Sequence, residues 1–172
     1  MDHLVLTVIA PDKPGQIERI AHCIAEHDGN WLESRMSRMA GQFAGILRVE
    51  VPAERHAALI DALHGLQHQE IRVLVAEGGV APNDTWKPIA MELLGNDRPG
   101  IVRDITRVLA EQDVNLERLI TDVRPAPMSS EQLFHAEALL AVPLTLSLED
   151  LQDSLETLAD ELMVELVLRT EA

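Results

Sequence analysis

The tetrapeptide Asp12-Lys13-Pro14-Gly15 returns 85 residues later as Asp97-Arg98-Pro99-Gly100, and Ala25-Glu26, Asp28 and Asn30 return at the same distance as Ala110-Glu111, Asp113 and Asn115. Such self-similarity limits the fold more than any local propensity, because whatever one copy folds into, the other must fold into as well. Further on, Phe43 and Val51-Pro52 match Phe134 and Val142-Pro143 at a distance of 91, so the second copy is six residues longer between the two blocks. The excess falls in Arg124-Pro125-Ala126-Pro127-Met128-Ser129-Ser130, a turn-forming stretch that lengthens a loop without disturbing a core. So long a period suits a small domain duplicated once within 172 residues rather than a solenoid. The Gly- and Pro-containing segment from Gly78 to Thr85 reads as a connection, which places one module over 1–78, a linker over 79–87 and a second module over 88–172.

Each copy reads strand, helix, strand, strand, helix, strand. His3 to Ala10 and Ile89 to Leu94 are short apolar runs that end at turn signals, as central strands do. Ile17, Ile20, Ala21 and Ile24, and in the second copy Ile101, Val102, Ile105, Val108 and Leu109, recur at helical spacing. The segment Trp31 to Met39 runs through Ala40-Gly41 into Phe43 to Val51, a hairpin whose second strand puts Phe43, Leu47, Val49 and Val51 on one face. A second helix is clearest at Leu148, Leu151, Leu155, Leu158 and Leu162, with Ser147 and Asp150 placed to cap its start. Ile71 to Ala76 and Val164 to Arg169 close the copies as strands. A βαββαβ order with right-handed crossovers predicts an α+β chain of two ferredoxin-like modules, each a four-stranded antiparallel sheet with two helices on one face.

Composition excludes several functions. A net charge of −15, with 14 basic residues against 29 acidic ones, disfavours direct contact with nucleic acid or an anionic membrane. The single cysteine, Cys23, rules out an intrachain disulfide and fits a reducing, cytoplasmic setting. The N-terminus opens without a basic stretch, and its apolar run is broken at Pro11-Asp12-Lys13, so neither secretion nor membrane insertion is expected. No nucleophile with an oriented base and no phosphate-cradling Gly-rich loop is seen, so no enzyme and no cofactor are expected. His64 and His68 stand i, i+4 but lack a third ligand, and Cys23 between His22 and His27 reads as a small buried hydrophobe, so no metal site is expected. RNA-binding modules of this fold stack bases on aromatics, yet the chain has two Phe, two Trp and no Tyr.

The duplicated Asp-x-Pro-Gly turn after a first strand, with Asn30 and Asn115 just past the first helix of each copy, resembles tandem ACT domains over roughly residues 3 to 77 and 88 to 170. The resemblance implies amino-acid-binding regulatory modules. A pair of them with no catalytic or DNA-binding domain attached resembles the glycine cleavage system transcriptional repressors. That implies a regulator sensing glycine or a similar small amino acid and acting through a protein partner, a DNA-binding activator, as a homo-oligomer. A ligand-independent interaction protein and a regulatory subunit of an amino-acid enzyme are the other readings.

The residues supply a physical basis for the turn. Pro14 and Pro99 suit a first helical turn, Gly15 and Gly100 allow close approach, and the helix start offers unpaired N–H groups to a carboxylate. An ammonium group needs an acceptor, which Asp12 or Asp97, or the Asn30 and Asn115 amides, would supply. The positions matching the family are Asp12, Pro14, Gly15, Gln16, Ile17 and Asn30, with Asp97, Pro99, Gly100, Ile101, Val102 and Asn115. Gln16 and Ile101, the differing second residues, imply that two working sites need not prefer one amino acid. Each feature has a plain structural reading as well: Asp before a Pro-led helix is a common cap, and Asn is a frequent helix terminator.

Overall fold

The computed structural model describes residues 1–79 and 85–170. The chain divides into two units, Met1–Ala81 and Pro82–Ala172, each with its own apolar core.

In the first unit, strand β1 (Asp2–Pro11) alternates so that Leu4, Leu6, Val8 and Ala10 are buried on one face. Helix α1 (Gln16–Glu26) covers that face with Ile20, Cys23 and Ile24. Strands β2 (Asn30–Met39) and β3 (Gln42–Val51) form the expected hairpin, joined by Ala40 and Gly41 at φ 49 and 81, the pair of left-handed residues that a two-residue hairpin turn demands. Leu47, Val49 and Val51 of β3 enter the core. Helix α2 (His56–Gly65) adds Leu59 and Leu63, both fully buried, and β4 (Arg72–Glu77) closes the sheet beside β1. The strand order is β2-β3-β1-β4, every pair antiparallel.

The second unit repeats this plan. Strand β5 (Trp86–Asn96), helix α3 (Ile101–Glu111), strands β6 (Asn115–Pro125) and β7 (Gln132–Pro143), helix α4 (Leu148–Leu162) and strand β8 (Val164–Thr170) give the order β6-β7-β5-β8. The extra residues of this copy sit between β6 and β7, where the Ala126 N–H donates to Glu131 O at 2.9 Å. Ser147 caps α4 by accepting from the Asp150 N–H at 3.1 Å. Both modules are α+β and ferredoxin-like, as the repeat and its periodicity predict. Among the described residues, no helix is long and apolar enough to cross a membrane.

Some local expectations change. Pro14 and Pro99 do not lie in the first helical turn: Gly15 and Gly100 are the N-caps, at φ 90 and 93, so each proline stands one residue before the cap of its helix. No side chain caps either helix, so Asp12 and Asp97 are not caps. Asn30 and Asn115 are not helix terminators either. The left-handed residues after α1 and α3 are Asp28 and Asp113, both at φ 58, and the asparagines open β2 and β6. Of the segment read as a linker, 80–84 lies outside the described residues, while Trp86 and Lys87 already belong to β5, where Trp86 pairs with Pro143. Cys23 is 7% exposed, and burial followed by Glu26 pushes its thiol pKa up, which keeps it protonated and unreactive.

Candidate functional site

The Asp-x-Pro-Gly turn is built by three elements meeting at one end of the sheet. As β1 leaves the sheet, the Asp12 N–H donates to Gly41 O at 3.0 Å, which pins the turn to the tip of the β2–β3 hairpin. The second module repeats the bond from Asp97 N–H to Gln132 O at 2.8 Å. The left-handed Gly15 then reverses the chain so that α1 starts with its first N–H groups free of intrahelical partners.

In the first module these pieces enclose an open cavity of about 490 Å³, lined by Asp12, Pro14, Gly15, Ile17, Arg38 and Phe43 among others. Arg38 and Phe43 come from paired positions of the hairpin. The Arg38 guanidinium stands 3.6 Å from the Asp12 carboxylate and is largely exposed. Lys13, on the same turn, is drawn aside to Glu70 at 3.3 Å. One cavity therefore holds a cation, an anion and a helix N-terminus within a few ångströms, a fit for a group carrying both charges.

Gln16 faces inward. It is 3% exposed, its amide donates to Pro11 O at 2.9 Å, and its oxygen accepts from Arg19 at 3.0 Å. Its contribution is to hold the turn against the end of β1. Ile101 occupies the same place in the second module and is equally buried, there as core. Ile17 and Val102 are partly exposed beside their turns.

The structure does not bring the asparagines to these turns. Asn30 pairs with Glu50, while the turn adjoins Gln42 at the other end of β3, about 25–30 Å away along the strand. Its side chain donates to Glu50 at 3.2 Å. Asn115 pairs with Ala141, again at the far end from Asn96 and Leu133.

The two turns are also unlike each other. The register position of Arg38, opposite Phe43, is taken in the second module by Val123, opposite Phe134. Around Gly15 a Cβ would meet nothing, whereas at Gly100 it would meet the Arg103 guanidinium at 2.8 Å. Arg103 lies across that turn and is paired with Asp104 at 3.0 Å. Beside α3 the second module has an apolar crevice of about 20 Å³, lined by residues including Ile101, Val102, Leu119 and Phe134, room for about one water. Arg38 escaped the sequence reading. Counting outward from the Ala40-Gly41 turn places it opposite Phe43, and that pairing was the signal available.

Residues 2–74 match the sequence profile of the ACT domain family. No curated protein sequence matches the chain. Among solved structures, an unknown protein from Galdieria sulphuraria superposes with a TM-score of 0.85 at 24% identity, covering 99% of each chain. A structure named "putative glycine cleavage system transcriptional repressor" superposes with a TM-score of 0.73 at 18% identity, covering 99% of this chain and 97% of that one. At these identities both likenesses speak for the fold. ACT domains are regulatory modules that bind amino acids; residues 2–74 carry one by sequence, and the second module repeats its strand order and its Asp-x-Pro-Gly turn.

Proposed function

We propose that the chain is a non-catalytic, cytoplasmic, amino-acid-sensing regulator, with ACT modules over 1–78 and 88–172, whose first module binds glycine or a similarly small amino acid. The observation that carries this reading is the Asp12 and Arg38 pair, 3.6 Å apart in a cavity that opens on the uncapped start of α1. A free amino acid inserts between them. Its carboxylate takes Arg38 and the N–H groups following Gly15, and its ammonium takes Asp12. Pro14, Ile17 and Phe43 restrict the room left for a side chain. Gln16 holds the turn in place.

In the second module Asp97, Pro99, Gly100, Ile101 and Val102 keep the turn without the arginine, so binding there is weaker or absent. Asn30 and Asn115 enter this reading only as residues offered by another copy in a homo-oligomer. The likeness in fold to the repressor structure supports a transcriptional regulator of glycine cleavage that acts through a DNA-binding protein partner.

Calorimetric titration of ligand-stripped protein with glycine, serine and leucine tests the reading. One equivalent per chain is expected for the preferred amino acid, with affinity reduced about tenfold or more in Arg38→Ala, the loss of one charge-assisted contact. Val123→Ala should leave it unchanged. No heat and no thermal shift with any of the three would replace the sensor by a ligand-independent interaction protein.

A further inference from the structure

The side of the second sheet away from its helices carries a charged cluster that the first sheet lacks. Glu92 of β5 and Glu137 of β7 stand directly opposite each other, Asp122 of β6 stands opposite His135 of β7, and Arg169 of β8 lies opposite Ala90, two residues along β5 from Glu92 and on the same face. At the corresponding register positions the first sheet has Thr7, Ile46, Ser37, Ala44 and Ala76. That sheet reaches the same strand order with none of these charges, so the fold does not require them.

Like charges directly opposite on antiparallel strands are unfavourable. Three carboxylates (Glu92, Asp122 and Glu137) face two guanidiniums (Arg124 and Arg169), which leaves an excess negative charge around a histidine that is 9% exposed. Its neighbours set the tautomer of the neutral ring. Arg124 donates to His135 Nδ1 at 3.1 Å, so the ring proton sits on Nε2 and is given to Glu92 Oε1 at 3.1 Å. Glu137 Oε1 lies 3.9 Å from the same Nε2 and, among the described residues, accepts no hydrogen bond. Ligand atoms of Glu92, His135 and Glu137 all fall within 4.8 Å of one another.

We propose that His135 Nε2, Glu92 and Glu137 form a site for one divalent transition-metal ion of the zinc class. Imidazole nitrogen selects such ions over magnesium and calcium, and two carboxylates neutralise the charge. Binding uses the ring's other neutral tautomer: the proton moves through solvent from Nε2 to Nδ1, where Asp122 accepts it as Arg124 turns aside, and the ion takes the freed Nε2 lone pair. The outer shell is in place: Arg169 holds the other Glu92 oxygen, Oε2, at 2.9 Å, and Asp122 Oδ2 stands 3.6 Å from His135 Nδ1. All three ligands ride on two central, hydrogen-bonded strands, which hold a constellation more firmly than loops do. With only three protein ligands the site is open, and the two nearby arginines make it weaker than a closed structural site.

Zinc chloride titrated into the chelator-stripped full chain near neutral pH should show an equivalent that is lost in His135→Ala and weakened about tenfold or more in Glu137→Gln, with no heat from magnesium chloride. The chain has seven histidines, so the comparison with the variants identifies the site. Glu137→Gln removes no hydrogen bond and keeps the decision available if His135→Ala fails to fold. Zinc heats that are the same in the wild type and Glu137→Gln, or absent from the wild type, overturn the proposal.

Discussion

Gly15 shows how one backbone angle shapes a site. At φ 90 it turns the chain between β1 and α1, and no side chain replaces the missing cap. Space is not what demands glycine there, since a Cβ would meet nothing within 4 Å. The demand is conformational. Gly15→Ala should therefore cost about 1–2 kcal/mol of stability, the penalty for placing an L-residue in the left-handed region, without filling the cavity. Urea denaturation measures it, and an unchanged midpoint would mean that the turn relaxes to a different path. Gly100→Ala must in addition displace the Arg103 guanidinium, the flexible end of a side chain.

At the scale of elements, the helices differ in how they begin. Both α1 and α3 start at a bare glycine, whereas α4 starts at Ser147, whose hydroxyl accepts from Asp150. Ser147→Ala should lower stability by about 1 kcal/mol, read as a shift in the denaturation midpoint, and should leave amino-acid binding at the first module untouched. This cap was legible in the sequence because capping is local: the serine precedes a leucine periodicity by one residue. The strands were legible for the same kind of reason, as the alternation of Leu4, Leu6 and Val8 or of Leu47, Val49 and Val51 reports a single buried face. The candidate site was legible only in part. The repeated turn announced itself, but Arg38 reaches Asp12 only through the hairpin register. The cluster around His135 draws on four strands, so no spacing along the chain reveals it. The i, i+4 pair His64 and His68 was conspicuous in the sequence, and the structure places both exposed, His64 in the last turn of α2 and His68 in the short 3-10 helix that follows.

For the whole molecule, acid is a selective probe, because two carboxylates are tuned by folding. The His135 hydrogen bond lowers the Glu92 pKa, assisted by the charges of His135 and Arg169. The Arg124 hydrogen bond lowers that of Asp122, assisted by the charges of Arg124 and His135. Depressed folded values mean that the native state holds these protons less tightly than the unfolded chain does. Their contribution is therefore complete above the ordinary carboxylate range, about pH 4–5, and is lost as the pH falls through the lower folded values. Both groups are solvent-screened, so the effect is modest. Denaturation with chelator present should find Glu92→Gln less stable than the wild type at neutral pH, with the gap closing as the pH falls below the ordinary carboxylate range. A gap independent of pH would assign the loss to packing.

Each sheet ends in two strands whose outer backbone groups have no neighbour within the sheet, β2 and β4 in one module and β6 and β8 in the other. Such margins are templates for uncontrolled strand addition, and charged side chains blunt them. Arg35, Arg38, Arg72, Arg118, Arg124 and Arg169, half of the arginines, stand on these four strands, each of which also carries an acidic residue. An acidic chain has thus spread its scarce positive charge along the places where it would otherwise aggregate. The same distribution makes arginine replacement on any outer strand a question of solubility as well as of binding.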